Sequence, residues 1–260
     1  MNIIDCKKIR DQILKNICPE HFIGKSLLAI VKEDNAANRS YLKSIQRMAD
    51  SYGLPVEVCY PDPSFYLEDI RRWMWSRSEG TCVLLVGYSN DEAKHIPTKC
   101  KKESQGKRFA DNTARPDVVV AVLEVISYLG MLNKAPERTA IIGRSRNAKA
   151  LYSALVNRDH TPVMVHTRTV GMESILREAD LIVSFAGCPN LIKSDMVKDF
   201  ATVISVGCNT LNGKICGDID IDSFGGRNVT ITPTPGGIGP ICTAVLFRDL
   251  ARWEVRNHER

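Results

Sequence analysis

Residues 138–166, RTAIIGRSRNAKALYSALVNRDHTPVMVH, alternate between an apolar strand, a helix and a second strand. The spacing predicts a strand over Arg138–Ile142 that ends at Gly143, a helix over 147–158 and a strand over 163–166. Strands joined by such a helix lie parallel in one sheet, because the crossover returns the chain to the edge where it began. This arrangement is typical of a doubly wound α/β domain.

The same alternation continues on both sides of this unit. After it, the pattern predicts continuous apolar strands at 181–185 and 203–206, a shorter strand at 229–232 and a helix over 239–252. Before it, the predicted elements are helices over 1–17, 37–52, 64–77 and 116–130, strands at 27–31, 56–60 and 82–86, and a loop over 89–113. The fold class is therefore α/β, with parallel strands in each half of the chain.

The composition indicates a globular protein, since 44% of the 260 residues are hydrophobic, 25% are charged and the net charge is +5. No apolar run reaches about 18 residues, so we expect no membrane span. The basic stretch 99–108 has no nucleic-acid motif beside it and is interpreted as a solvated loop, with steering of an anionic ligand as the alternative. The first 17 residues lack the apolar run of a signal peptide, so we expect a cytoplasmic location.

The nine cysteines are scattered along the chain and form no CxxC pair. A zinc site needs closely spaced ligands, and a disulfide framework is typical of small secreted chains. We therefore expect reduced cysteines and no metal site.

The turn Gly143-Arg144-Ser145 is a candidate dinucleotide site, although it keeps only the first glycine of the G-x-G-x-x-G pattern. A pyrophosphate binds at such a turn on backbone N–H groups and the helix dipole. The second strand ends in His166-Thr167-Arg168-Thr169, without the carboxylate that an NAD site offers. Because guanidinium pairs well with phosphate, this end favours the 2′-phosphate of NADP, with a solvated turn as the alternative.

A second candidate segment is the loop Thr232–Pro240, TPTPGGIGP. Its prolines and glycines exclude a helix or a central strand. The loop leads directly into an apolar helical segment, so its backbone amides are available to a ligand.

Five segments together resemble the methylenetetrahydrofolate dehydrogenase/cyclohydrolase family, the bifunctional folate enzymes. They are AIIGRSRNAKALYSALV, VMVHTRT, ADLIVSFAGCPNLIKSDMVKDFATVISVGCN, GDIDID and TPTPGGIGPICTAVLFRDLAR. The family signature P-G-G-[VI]-G-P is matched by Pro235–Pro240. The resemblance is strong from Ala135 onwards and traceable before it through VKEDNAANRSYLKSIQRMADSYGL.

The resemblance implies two domains with a cleft between them. A folate-type catalytic α/β domain would take residues 1–130 and a C-terminal helix over 239–256, and a Rossmann NAD(P)-binding domain would take 131–238. It also implies NADP as the cofactor, with NAD less favoured, a tetrahydrofolate derivative as the substrate, and a homodimer. No nucleic-acid or membrane partner is implied.

The resemblance assigns site residues position by position. Arg144 falls on the residue that holds the 2′-phosphate, and Thr167 on a serine that helps to hold it. The cofactor-binding positions are Gly143, Arg144, Ser145, Thr167, Arg168, Gly187, Cys188, Pro189, Gly207, Asn209 and Thr243. The substrate-binding positions are Tyr41, Asp111, Pro235, Gly236, Gly237, Ile238 and Gly239, and Gly217 with Asp218 matches a G-D-V segment.

The departures from the family concern mainly its catalytic positions. The family has a tyrosine and, four residues later on the same helix face, a lysine tied to cyclohydrolase chemistry. Tyr41 is present, but Ile45 stands at the lysine position, and Gly87 stands where a glutamine supports that lysine. Lys43 should face away from Tyr41. For the pterin-binding aspartate Asp111 is the single candidate, and a lysine, Lys149, replaces a glycine at the cofactor turn.

Isoleucine has no proton to give, whereas hydride transfer to a nicotinamide needs positioning rather than a proton relay. We therefore predict NADP-dependent oxidation of 5,10-methylenetetrahydrofolate to 5,10-methenyltetrahydrofolate, with cyclohydrolase activity lost or weak. Two alternatives stay open. One is a nicotinamide-dependent oxidoreductase of the same fold that acts on another substrate. The other is a non-catalytic relative that binds nucleotide or a protein partner.

Overall fold

The structure, a computed structural model, describes residues 1–61, 80–88, 117–134, 138–211 and 214–253. In chain order the strands are β1 (Asn2–Ile3), β2 (Ser26–Val31), β3 (Val56–Cys59), β4 (Thr81–Val86), β5 (Thr139–Ile142), β6 (Pro162–Val165), β7 (Leu181–Ser184), β8 (Thr202–Ser205), β9 (Asn209–Leu211), β10 (Lys214–Cys216) and β11 (Thr230–Ile231). The helices are α1 (Cys6–Leu14), α2 (Ala36–Tyr52), α3 (Asp117–Tyr128), α4 (Arg146–Val156), α5 (Met172–Glu178) and α6 (Ile238–Arg252).

The chain divides into two units. The first contains Met1–Ile13 and Pro116–Val245, and the second contains Leu14–Arg115 and Leu246–Arg260. Each unit has a parallel sheet, so the predicted α/β class is confirmed.

This division differs from the predicted domain boundaries at residues 130 and 239. Helix α3, expected in the folate-type domain, belongs to the first unit because its buried face packs in one core with α4. Ile4 and Ile9 join the same core, so the N-terminal residues also belong there. Helix α6 is shared, because its residues up to Val245 belong to the first unit and those from Leu246 to the second.

The first unit is built on six parallel strands in the order β1-β11-β8-β7-β5-β6. Alternate residues of the central strands enter different cores: Ile141 and Val183 face one core, whereas Ile142 and Ile182 face the other. Burial on both faces explains why β7 and β8 are buried at every position and have no polar face. A separate antiparallel pair, β9 with β10, follows β8.

The second unit contains the parallel sheet β3-β2-β4 and helix α2. Helix α2 begins after Asn35, whose side chain accepts a hydrogen bond from the Asn38 backbone N–H at 2.9 Å. It ends at Gly53, which adopts the left-handed conformation (φ 65°) that favours glycine. The predicted helix over 37–52 and its glycine stop are therefore confirmed.

Three elements of the first unit were not predicted: the strand β1, the helix α5 and the β9–β10 pair. The predicted helix over 1–17 was wrong at its start, because Asn2 and Ile3 pair with β11 and only Cys6–Leu14 are helical. The predicted helix over 64–77 and loop over 89–113 lie outside the described residues. Within the described ranges, no helix is both long and apolar enough to cross a membrane.

Candidate functional site

Gly143 lies where the ends of three neighbouring strands meet. It follows β5, and its N–H donates to the Val165 carbonyl at the end of β6 (2.8 Å). A Cβ added at Gly143 would lie 3.2 Å from the carbonyl oxygen of Phe185, the residue after β7, and Gly143 has a φ of 116°. Glycine is therefore required here by backbone conformation and by close packing.

Helix α4 starts directly after this turn, with Ser145 as its N-cap. The Ser145 hydroxyl accepts a hydrogen bond from the Ala148 N–H at 3.2 Å. The side chains of Arg144 and Lys149 are exposed, so each presents a positive charge to solvent near this turn. The first turn of α4 thus offers backbone N–H groups beside two cationic side chains.

The turn after β6 is fixed by its own hydrogen bonds. The His166 N–H donates to the Thr169 hydroxyl (3.0 Å), and the Arg168 N–H donates to His166 Nδ1 (3.1 Å). The side chains of Thr167 and Arg168 are exposed. This turn therefore presents a hydroxyl and a guanidinium, and its sequence contains no carboxylate.

A fully buried carboxylate, Asp218, joins the ends of β7 and β8. Its Oδ2 accepts hydrogen bonds from the Ser184 hydroxyl (2.6 Å) and the Ala186 N–H (3.2 Å), and its Oδ1 accepts one from the Cys188 N–H (3.0 Å). Its own N–H donates to the Ser205 hydroxyl at 3.0 Å. This network holds Gly187 (φ 61°), Cys188 and Pro189 in place at the end of the sheet.

Two glycines make room for this network. A Cβ at Gly207 would overlap the carboxylate of Asp218. A Cβ at Gly217 would lie 2.5 Å from the Thr234 hydroxyl and 2.8 Å from the Ser205 hydroxyl. The segments after β8, β10 and β11 therefore touch one another around Asp218.

The loop after β11 is anchored at Thr232, whose hydroxyl accepts a hydrogen bond from the Ser205 N–H at 2.8 Å. The Thr234–Pro235 peptide bond is cis, and Gly236 has a φ of 92°. Pro235, Gly236 and Gly239 are exposed, as a ligand-facing loop requires.

Three of the predicted binding residues in or after this loop are buried in the first unit instead: Gly237, Ile238 and Thr243. Ile238 lies in its apolar core, and Thr243 is fully buried, with its hydroxyl donating to the Gly239 carbonyl at 3.3 Å. Ile238 and Thr243 therefore belong to the buried support of the loop rather than to its exposed surface.

Asn209 carries an unpaired polar atom. Its Nδ2 is buried and has no hydrogen-bond partner within the part of the chain that the structure describes. An amide nitrogen of this kind is a donor that a ligand carbonyl or phosphate oxygen can satisfy.

Cys208, beside Asn209, is a weakly acidic thiol. Partial burial raises its pKa, and the neighbouring Cys216 and Asp218 add to the effect. The thiol form of Cys208 is thereby favoured over the thiolate. Among the described residues, no cluster of histidine, cysteine, aspartate and glutamate has the arrangement of a metal site.

The positions predicted to be catalytic lie in the second unit, on α2 and after β4. Tyr41 is half-buried, Ile45 is fully buried in the apolar core of that unit, and Lys43 is exposed. At Gly87 (φ 79°), an added Cβ would lie 2.8 Å from Asn38 Nδ2, which donates to the Glu33 carbonyl. The Asn38 amide thus fills the space beside the glutamine position. Asp111 lies outside the described residues.

Comparison with known proteins agrees with this geometry. The model of the tetrahydrofolate dehydrogenase/cyclohydrolase NAD(P)-binding domain matches residues 116–258. A bifunctional protein FolD from Methanospirillum hungatei is 40% identical over 261 residues, which cover 93% of this chain and 92% of that protein. The chain belongs to the tetrahydrofolate dehydrogenase/cyclohydrolase family. The resemblance inferred from the sequence, to a family of NAD(P)-binding oxidoreductases, is therefore confirmed.

Other relatives align over a shorter part of the family sequence. A bifunctional protein FolD from Lactobacillus gasseri is 39% identical over 146 residues, which are 56% of this chain and 51% of that protein. The chain thus aligns with about half the length of this relative.

Solved structures of the family share the fold. A bifunctional FolD enzyme from Campylobacter jejuni has a TM-score of 0.76 at 24% identity, covering 95% of this chain and 94% of its own. A Trypanosoma brucei enzyme solved with NADP and an inhibitor has a TM-score of 0.75 at 22% identity, with 95% of both chains covered. An NAD-dependent dehydrogenase from Saccharomyces cerevisiae has a TM-score of 0.71 at 13% identity, with 96% of both covered. Family members thus include both an NADP complex and an NAD-dependent enzyme.

Three polar residues of the candidate site were not predicted from the sequence: Ser184, Ser205 and Asn38. Ser184 and Ser205 each end a strand whose other positions are buried, and both hydroxyls bind within the Asp218 network. A serine at the end of each of two neighbouring apolar strands is a pattern from which a polar site at that edge of the sheet could have been predicted. Asn38 had no comparable signal, because its packing beside Gly87 depends on two distant segments.

Proposed function

We propose that the protein oxidises 5,10-methylenetetrahydrofolate to 5,10-methenyltetrahydrofolate with NADP, and that its cyclohydrolase activity is lost or weak. The observation that carries this proposal is the pair of turns after β5 and β6, where Arg144, Thr167 and Arg168 are exposed. The hydrogen bond from the Gly143 N–H to the Val165 carbonyl links these turns. A guanidinium suits a 2′-phosphate, whereas an NAD site offers a carboxylate to the ribose hydroxyl.

The residues of the first unit fit a dinucleotide. Gly143 permits close approach of the backbone, and the first turn of α4 offers N–H groups. Asn209 Nδ2 is a buried donor that has no partner among the described residues. A bound NADP would supply the hydride acceptor. The protein would then bind and orient the cofactor, through Arg144 at the 2′-phosphate and through the fixed loops around Asp218.

The proposed weakness of hydrolysis rests on two positions of the second unit. Ile45 is apolar and fully buried where the family has its lysine, and Gly87 has no side chain where the family has its glutamine. Adding water to a methenyl bridge requires a group that donates or accepts a proton, and neither residue has one.

The test of the cofactor is a comparison of NADP and NAD binding by calorimetry. Arg144→Ala should weaken NADP binding about 10- to 100-fold, because a charge-assisted hydrogen bond to phosphate contributes roughly 1.5–3 kcal/mol. NAD binding should change less than about twofold. Arg177→Ala, which removes a guanidinium from α5, serves as the matched control. Equal weakening of both cofactors by Arg144→Ala would show that this residue does not hold the 2′-phosphate.

The test of the reaction is a spectroscopic assay with methylenetetrahydrofolate and NADP. Reduced nicotinamide and, after acidification, the methenyl compound are measured separately. We expect both to rise together, with methenyl product persisting at neutral pH. Rapid loss of the methenyl product would contradict the proposed weakness of hydrolysis.

A second candidate is a nicotinamide-dependent oxidoreductase of the same fold that acts on a different substrate. The arrangement of Asn38 beside Gly87 favours it, because the space next to the glutamine position is occupied. Tight NADP binding without binding of a tetrahydrofolate derivative would support this candidate. Binding of neither would favour a non-catalytic relative.

The proposal includes a homodimer. Within the described sheet β6 is an edge strand, and its Val163 side chain is 48% exposed. An edge strand presents unpaired N–H and C=O groups that a second copy can use. Sedimentation should give a dimer for the wild type and a smaller species for Val163→Lys. An unchanged dimer would place the interface elsewhere.

We also propose a cytoplasmic location. Cys18 and Cys188 are exposed cysteines outside any disulfide, which suit a reducing compartment. Fractionation of cells expressing the protein tests this, and recovery from the medium would contradict it.

A further inference from the structure

Asp218 is a buried carboxyl group whose described hydrogen-bond partners are all neutral. Its two oxygens accept hydrogen bonds from a serine hydroxyl and from the N–H groups of Ala186 and Cys188. The two backbone N–H groups can only donate, one to each carboxylate oxygen, which is the arrangement that suits a carboxylate as acceptor. No salt bridge to Asp218 forms with any lysine, arginine or histidine in the described ranges. Burying a charge without a counter-charge is costly, so its retention calls for a function.

The position of this charge in the sheet is specific. Ser184 ends β7 and Ser205 ends β8, and both hydroxyls contact Asp218. The turns that carry Arg144 and Thr167 follow β5 and β6, on the other side of the point where the strand order reverses. Ligands of open α/β sheets bind beyond the carboxyl ends of the strands at this point, with one mononucleotide half on each side. The half opposite the 2′-phosphate turns is therefore the nicotinamide half.

We propose that Asp218 makes the site prefer oxidised over reduced cofactor. This inference rests on the proposed function. An oxidised nicotinamide ring carries a positive charge and a reduced ring does not. A buried carboxylate beneath the loop at Ala186–Cys188 attracts the charged ring, and the low local dielectric strengthens the attraction. Asp218 is thus a positioning residue that acts through charge as well as through the loop.

The surroundings of Asp218 keep the charge in place. Gly207 has no room for a side chain next to the carboxylate, and Ser184 and Ser205 are both buried. The carboxylate therefore has no space to rotate towards solvent. Because it is pre-oriented, it loses no reorganisation energy when a charged ligand arrives.

The experiment compares dissociation constants for NADP⁺ and NADPH by calorimetry and fluorescence, using the whole chain. For Asp218→Asn, the affinity for NADP⁺ relative to NADPH should fall about tenfold. The asparagine amide also disturbs the donors around it, but that disturbance affects both cofactor forms alike. The change in the ratio of NADP⁺ to NADPH affinity therefore measures the effect of removing the carboxylate charge of Asp218.

Ser184→Ala is the matched control, because it removes one hydrogen bond to Asp218 and keeps the charge. It should weaken both forms similarly and leave their ratio within about twofold of the wild type. If both variants change the ratio equally, or if Asp218→Asn leaves the ratio unchanged, the inference is wrong while the proposed cofactor stands. If the wild type binds neither form, the proposed function and this inference both fail.

A second measurement covers the case in which Asp218→Asn does not fold. The wild type should bind NADP⁺ more tightly than NADPH. Binding of 2′-phospho-ADP-ribose, which lacks the nicotinamide ring, measures how much affinity the rest of the cofactor contributes. NADPH binding more tightly than NADP⁺ would overturn the inference without any variant.

Discussion

Ile45→Lys should destabilise the second unit rather than rebuild a catalytic pair with Tyr41. The Ile45 side chain is fully buried in a core that includes Phe22, Leu27 and Phe247. Removing its apolar burial costs about 2–3 kcal/mol. An ammonium group without a buried partner adds about 3 kcal/mol or more. The total, about 5 kcal/mol or more, is comparable to the whole free energy of unfolding of many small domains.

Urea unfolding followed by far-UV circular dichroism measures this loss, and Trp253 lies in the same core as a fluorescence probe. Ile45→Leu is the volume-conserving control and should cost about 1.5 kcal/mol or less. Ile45→Ala should cost about 2–5 kcal/mol through the cavity that it leaves. The lysine variant should exceed the alanine variant.

The pH dependence of Ile45→Lys separates burial of charge from loss of packing. Burial lowers the pKa of a lysine in the folded state, so the unfolded chain binds more protons and stability rises with pH. The destabilisation should therefore shrink between pH 7 and about 10. The reasoning is refuted if Ile45→Lys costs less than Ile45→Ala, or if it keeps full stability and gains cyclohydrolase activity. Either result would mean that position 45 faces a polar pocket.

Two further predictions concern single positions of the first unit. Gly207→Ala should destabilise the first unit by about 3 kcal/mol and abolish tight NADP binding, because the new methyl group displaces Asp218. The control is Gly226→Ala, at a site with φ 78° and open space around it, which should cost about 1 kcal/mol. Equal losses of stability in thermal unfolding would contradict the steric argument. The Arg227 guanidinium lowers the pKa of Asp199, so the stabilisation by that carboxylate is present at neutral pH and disappears as the pH falls through its lowered pKa. Asp199→Asn should therefore lower the unfolding temperature at pH 7, and this loss should shrink as the pH falls through the lowered pKa of Asp199; a loss that does not change with pH would contradict it.

The sequence was sufficient where local pattern determines structure. Four consecutive apolar or small residues marked β7, and Gly53 marked the end of α2, because each signal depends on neighbours in the chain. The two exposed turns that carry Arg144 and Thr167 could be predicted for the same reason, since each follows a recognisable strand.

The remaining features depend on contacts that are distant in the sequence. Strand β1 is only two residues long and forms because β11 is there to pair with it. The apolar face of α3 suits either unit, and only its packing against α4 assigns it to the first. Glycine is needed at position 207 because the Asp218 carboxylate occupies the space of a side chain, and the sequence around position 207 does not indicate this contact.

The pairing of β1 with β11 has a consequence for the order of events on the ribosome. Asn2 pairs with Thr230, and the Ile4 N–H donates to the Ile231 carbonyl at 2.9 Å. Residues 2–4 must therefore wait until residues 230 and 231 have been synthesised before the six-stranded sheet is complete. During that interval the edge of β8 that later pairs with β11 has unpaired backbone N–H and C=O groups, which can pair with other nascent chains. Nascent-chain truncations that end before residue 230 should accordingly be the species that depend most on chaperones.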